Sequence, residues 1–257
     1  MSDPIFESRK PLDLHDVRKV MGNGQAGFSR EVTPLTQPVE VRVKAGLRLS
    51  GWEDTHVEID GQEKPVRSTH FKLATQRADE GIEWFFPHYM VPEGTDWADH
   101  PALPFGVYSN DLGIVHTVDV EDRELTVDEF HADDELSERY STLFGLIPQY
   151  QSTTQNIGTK IMLGRIGMNE QKESICAEVA GLADCEGASC LFGKVKLRMR
   201  PPVDGGGAEL LTAGYLLFDI EGGFVREFLF LTNISFSDGK DKHSMSLARS
   251  GRLKPTG

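Results

Sequence analysis

Four of the eight histidines in this chain fall on segments that read as strands, and chemistry would concentrate at three of them. A hairpin is expected over 54–60 and 66–75. If it is symmetric about residue 63, His56 lies across from His70 and Glu58 across from Ser68, on one face. Directly opposed side chains have Cβ atoms within about 5.5 Å, close enough for two imidazoles to share a proton or a metal ion. His116, in Gly113-Ile114-Val115-His116-Thr117-Val118-Asp119, completes a set of three if its strand joins the hairpin. Three protein ligands with one open position suit a catalytic divalent metal. His56, His70, Glu58 and His116 are therefore the candidate catalytic residues, and the three histidines the candidate metal ligands. Solvated or core-bonded histidines are the ordinary alternative, because the spacing matches no metal signature.

A second candidate is Arg226, which interrupts the aromatic stripe Phe224, Phe228, Phe230. A buried guanidinium needs an anionic partner, either a ligand carboxylate or enolate, or a protein carboxylate such as Asp219 or Glu221. Phe228 would line the same pocket. Tyr89 and Trp97 would reach it from 87–111, where Pro87, Pro92, Pro101 and Pro104 punctuate an aromatic segment that reads as a long loop or lid. Lys194, Lys196, Arg198 and Arg200 form a basic row that is either an anion site or an outer face paired with acidic neighbours. His131 and Glu135, four apart on a helix, could exchange a proton but sit in a solvent-facing acidic run. The odd set Cys176, Cys185 and Cys190 lacks the CxxC spacing of a zinc site and reads as reduced, structural thiols.

No GxSxG elbow, HExxH pair, phosphate loop or dinucleotide fingerprint is present, which removes support for serine hydrolase, zincin, NTPase and Rossmann dehydrogenase readings. Forty acidic against 27 basic residues give a formal charge of -13, a field that repels phosphate backbones and argues against nucleic-acid partners. No segment approaches the roughly 20 apolar residues of a membrane helix, and Met1-Ser2-Asp3-Pro4 does not resemble a secretory leader, so a soluble, cytoplasmic protein with no membrane partner is expected.

The elements that would position these groups are mostly strands. Residues 1–37 read as a lead-in with a short helix at Leu12–Met21 and a glycine-rich stretch at 22–27 that lacks the context of a phosphate loop. From 38 to 257 a single antiparallel β-rich domain is expected. Alternation over Val39–Leu49 predicts a half-buried strand, and further strands are expected at 158–167, 173–183, 189–200, 208–220, 224–236 and 243–249. A capping box at Thr126-Val127-Asp128-Glu129 opens a helix predicted to run to Ile147 before Pro148, burying Phe130, Leu136, Tyr140, Leu143 and Phe144. The fold class is therefore mainly β (β-rich α+β): an antiparallel meander closed as a barrel or folded as a sandwich, with one longer helix packed on it and a short N-terminal helix. The first functional reading is a container for a small, partly apolar organic molecule with histidine-based acid/base or metal-assisted chemistry of lyase, isomerase or hydrolase type. The alternative is a non-catalytic module for ligand binding or subunit assembly, which allows a homo-oligomer.

Overall fold

The computed structural model describes residues 31–256 except 94–95, 101–104, 134, 137–139, 141–145, 169–170, 201, 204–205 and 238–240, and describes the backbone alone at 88–93, 96–100, 164–168, 171–172, 202–203 and 206–207. The expected helix at 12–21 and the glycine-rich stretch at 22–27 lie outside these residues.

Twelve strands carry most of the architecture: β1 (Arg48–Ile59), β2 (Arg67–Ala78), β3 (Gly81–Glu93), β4 (Phe105–Ser109), β5 (Val115–Val120), β6 (Arg123–Thr126), β7 (Lys160–Met168), β8 (Gln171–Cys185), β9 (Ala188–Met199), β10 (Gly206–Asp219), β11 (Phe224–Ser237) and β12 (Lys242–Pro255). With four shorter segments they form one 16-stranded sheet, antiparallel throughout, in the order Gln149–Tyr150, β7, β8, β9, β10, β11, β12, β1, β2, β3, β4, β5, β6. The chain thus builds one meander from β1 to β6, a second from Gln149 to β12, and joins them where the last strand pairs the first, Ala248 against His56.

The expected barrel is not formed. The strands at the two ends of the sheet, β6 and Gln149–Tyr150, do not pair with each other. The expected long helix is also corrected: α1 spans Val127–Ala132 only. Its capping box is present, but Asp133 turns extended and its Oδ1 accepts from the Leu136 N–H at 3.1 Å, after which Glu135, Leu136 and Tyr140 are again helical. An Asp at that place competes with the helix by capping the next one. Phe130, Leu136 and Tyr140 are nevertheless buried, and Tyr140 stacks on Phe105 with ring centroids 4.8 Å apart.

The segment expected as a loop or lid at 87–111 contains instead the end of β3, a strand at Asp96–His100 and all of β4. Its prolines misled because Pro87 sits at a bulge, where Lys72 pairs His88 and Ala74 pairs Phe85, and a bulge leaves a residue with no ladder bond to donate. Conversely, Val39–Leu49 is not one strand. Val39–Glu40 pairs with Thr154–Gln155, Val41 N–H then turns to Thr153 and Val43 N–H to Asp111, and Arg48–Leu49 already belong to β1, opposite Ala74 and Leu73.

One face of the sheet carries a continuous core drawn from both meanders, including Leu49, Phe71, Trp84, Phe105, Tyr150, Leu216, Phe218 and Phe228. Residues from distant strands meet in it, as Tyr150 does edge-on with Phe218 at 5.0 Å, so the sheet is folded over on this core face. The opposite face of β8 to β12 buries a smaller cluster, among them Cys185, Cys190, Phe192, Tyr215 and Leu229, with Val32 against it. Burial on both sides is why Tyr215-Leu216-Leu217-Phe218 and Phe228-Leu229-Phe230-Leu231 read as unbroken apolar runs.

Candidate functional site

The hairpin carrying His56 and His70 turns at Asp60-Gly61, both with positive φ, and Glu58 pairs Glu63 and Ile59 pairs Gln62. An Asp-Gly pair favours this two-residue turn, which centres the hairpin near 60–61 instead of 63. After Lys64–Val66 the pairing resumes one residue out of step, Thr55 against Arg67. His70 therefore faces Trp52, Ser68 faces Asp54, and His56 pairs Ala248 on the other flank of β1. The two histidines share the opposite face and are both buried, but they stand four residues apart along it, about 13 Å at about 3.3 Å per residue. Glu58 is half-buried beside Ser246. His116 is exposed on β5, its Nδ1 3.1 Å from Thr117 Oγ1. Among the described residues no group of three or more His, Cys, Asp or Glu side chains is placed to hold a metal ion.

Arg226 is paired within the chain. It sits at a bulge, where Phe218 faces Val225 and Leu217 faces Glu227. Its Nε donates to Asp219 Oδ2 at 3.0 Å, and its guanidinium lies 5.4 Å from the Phe224 ring centroid. Asp219 Oδ1 also accepts from Gly222 N–H at 2.7 Å. The pair borders a cleft of about 610 Å³ between the β8–β9 and β10–β11 turns, where a second network runs through Glu227, Arg252, Glu186 and Lys254. Tyr215 donates its hydroxyl to Glu227 at 2.7 Å. Burial pulls the Glu186 carboxyl upward, but the Lys254 hydrogen bond and the Arg252 and Lys254 charges outweigh it and hold the pKa below the ordinary value. Phe228 belongs to the core, stacked on Phe230 at 5.5 Å. The backbone of Tyr89 pairs Phe71 and His100, and that of Trp97 pairs Pro92; their side chains lie outside the description.

The basic row is an outer face with acidic neighbours. Lys194 stands opposite Glu178, and Arg198 and Arg200 both reach Glu209, at 2.6 and 3.0 Å. Elsewhere Asp79, Glu80, Glu83 and Glu124 rim an open hollow of about 440 Å³ with His116 and Tyr108. Desolvation first, then the Glu83, Asp119 and Glu124 charges, raise the Tyr108 phenol above its ordinary pKa. His131 is half-buried against Phe130, edge-on at 5.3 Å, while Glu135 is exposed.

A feature missing from the expected site residues is the far end of the core face. At this end the core-face residues of β9 to β12 and β1 lie in register: Met199, Leu210, Ile234, Met245 and Ile59 form one row across five strands, buried at Met199 and Leu210 and progressively open toward Ile59. The next row inward is Leu197, Thr212, Thr232, Leu247 and Val57, with the two threonine hydroxyls 2.9 Å apart. Ile59 remains 42% and Phe236 43% exposed, and Ile234, Met245, Leu247 and Val57 are half-buried. One row further in, Phe230 faces Arg249, whose Nε donates to Glu53 Oε1 at 2.7 Å. The alternation Met245, Leu247, Arg249, Gly251, Leu253 was the sequence signal for this surface, but the strand was expected to stop at 249.

No protein-family model and no curated protein matches this chain. Among solved structures it is similar to one described as "Lipid-protein interactions in lipovitellin", at 10% identity and a TM-score of 0.42, over 88% of this chain and 26% of that one. The chain thus spans about a quarter of that protein, and a likeness this distant carries no functional argument.

Proposed function

We propose that this chain is a non-catalytic binding module that takes up a small molecule with an apolar body on the core face, at the end where β11, β12 and β1 outrun the packed core. The observation that carries the reading is the in-register apolar row from Met199 to Ile59, buried at Met199 and Leu210 and opening to solvent through Ile234 and Met245 to Ile59. Apolar side chains aligned on adjacent strands are costly to leave wet, and a bound alkyl or ring system recovers about 0.8 kcal/mol per buried methylene. Ten such groups gross about 8 kcal/mol, enough for micromolar affinity before association costs. The hydroxyl pair of Thr212 and Thr232 offers a polar contact at the floor, as apolar sites commonly do.

A neutral solvatochromic dye such as Nile red tests this directly. Saturable binding with a blue-shifted emission is expected, and Met245→Asp, a change at a half-buried position, weakens it at least tenfold without altering the circular-dichroism spectrum. Binding that does not saturate, or that the variant leaves untouched, would sink the proposal.

A further inference from the structure

We infer that the ligand is a small anionic amphiphile whose head group is received by Arg249, an inference that rests on the binding reading above and deepens it. Arg249 stands on the core face in the row Phe230, Arg249, Thr55, Arg67, at the inner border of the apolar surface. Among the described residues its hydrogen bond to Glu53 is made through Nε. Glu53 is almost fully enclosed, at 7% exposure, whereas the Arg249 side chain keeps 26%. The carboxylate therefore anchors the guanidinium through Nε, and the anion would take the terminal nitrogens. Two parallel terminal N–H groups match a carboxylate or sulfate fork, and a half-buried site strengthens that pairing over its value in bulk water.

The same row adds a hydroxyl and a second cation. Thr55 pairs Arg249 on one side and Arg67 on the other, so the two guanidinium-bearing strands lie about 10 Å apart with Thr55 between them. Among the described residues of this row and its neighbour on the same face, two guanidiniums stand against the one carboxylate of Glu53, in a chain whose formal charge is -13, so an anion finds its complement here. From Arg249 the surface runs outward along β12 past Leu247 and Met245 to His243, beside Phe236, a span of about 20 Å at about 3.3 Å per residue. Head group at Arg249 and alkyl chain along Leu247, Val57, Ile234 and Met245 is the arrangement this gradient accepts.

Dodecanoate and dodecanol share a chain and differ in the head group, and both can be titrated against the dye-loaded full chain at neutral pH. Dodecanoate is expected to displace the dye at a concentration at least tenfold lower than dodecanol. In the double variant Arg249→Gln/Glu53→Gln, which leaves no unpaired charge buried, the two ligands become equivalent while dodecanol keeps its wild-type affinity. Equal displacement by both ligands in the wild type overturns the inference and leaves the binding reading standing, as does a preference that survives in the double variant. Failure of both ligands to displace the dye overturns the two together. Should the double variant misfold, the wild-type comparison decides alone.

Discussion

Glu186 stands in the β8–β9 turn at φ 54, an uncommon conformation for a residue with a side chain, and it is held there beside Arg252 and Lys254. Its depressed pKa ties stability to pH with a definite sign. A carboxyl ionised more readily in the folded chain than in the unfolded one stabilises the fold above its unfolded pKa, near 4.3, and loses that contribution as pH falls through the folded value. The melting temperature should therefore be level from about pH 7 to 5 and decline below about 4.3. Glu186→Gln should flatten part of that decline, and a variant with the wild-type slope would count against the role. At this scale the site was half legible. That Arg226 needs an acid follows from burial, and Asp219 was one of two candidates in reach; that Glu53 waits for Arg249 across the chain could not be read, because their contact depends on the seam between β12 and β1.

Elements were easiest to read where turns declare themselves. The six strands of the C-terminal half lie within a few residues of their expected bounds, with β12 extended past 249, because Glu186-Gly187 and Glu221-Gly222-Gly223 leave little freedom of register. The misreadings came where one residue has two uses. Pro87 reads as a loop but fits a bulge, and Asp133 reads as a helix flank but interrupts the helix and caps the helical stretch that resumes at Glu135. The histidine pairing failed for the same reason, since residues 60–65 admit either one long loop or a two-residue turn followed by an offset, and only the second is built. Gly113 shows how elements are locked together. It holds φ 73, and a Cβ there would come within 2.1 Å of the Pro148 carbonyl oxygen, on the segment leading into the edge strand Gln149–Tyr150. Gly113→Ala should cost at least about 1 kcal/mol from the positive φ alone, and more as the two segments part. Chemical denaturation would show it as a lower midpoint; an unchanged midpoint would mean that the contact yields freely.

For the whole molecule, the main consequence is that one sheet serves as both scaffold and surface. A fold buried on both faces at its centre and on one face toward its ends has a stable middle and strand tips that outlast their core, and it is at those tips that the apolar row and Arg249 lie. The strand that supplies Arg249 is also the one that joins the two meanders, so removing residues 242–257 should uncover both β11 and β1. Such a chain is expected to aggregate or elute as large species in gel filtration; a well-dispersed monomer would show that either meander folds without the seam. Joining the first long strand to the last also sets a schedule during synthesis. Glu53 and Arg249 are 196 residues apart, and at roughly 5 to 20 residues per second the nascent β1 has its flank open for on the order of 10 to 40 seconds before its partner strand is translated. A ribosome making this protein thus carries, for that interval, half a sheet with an unfilled lane, and holding that edge apart from other chains falls to whatever meets the polypeptide as it emerges.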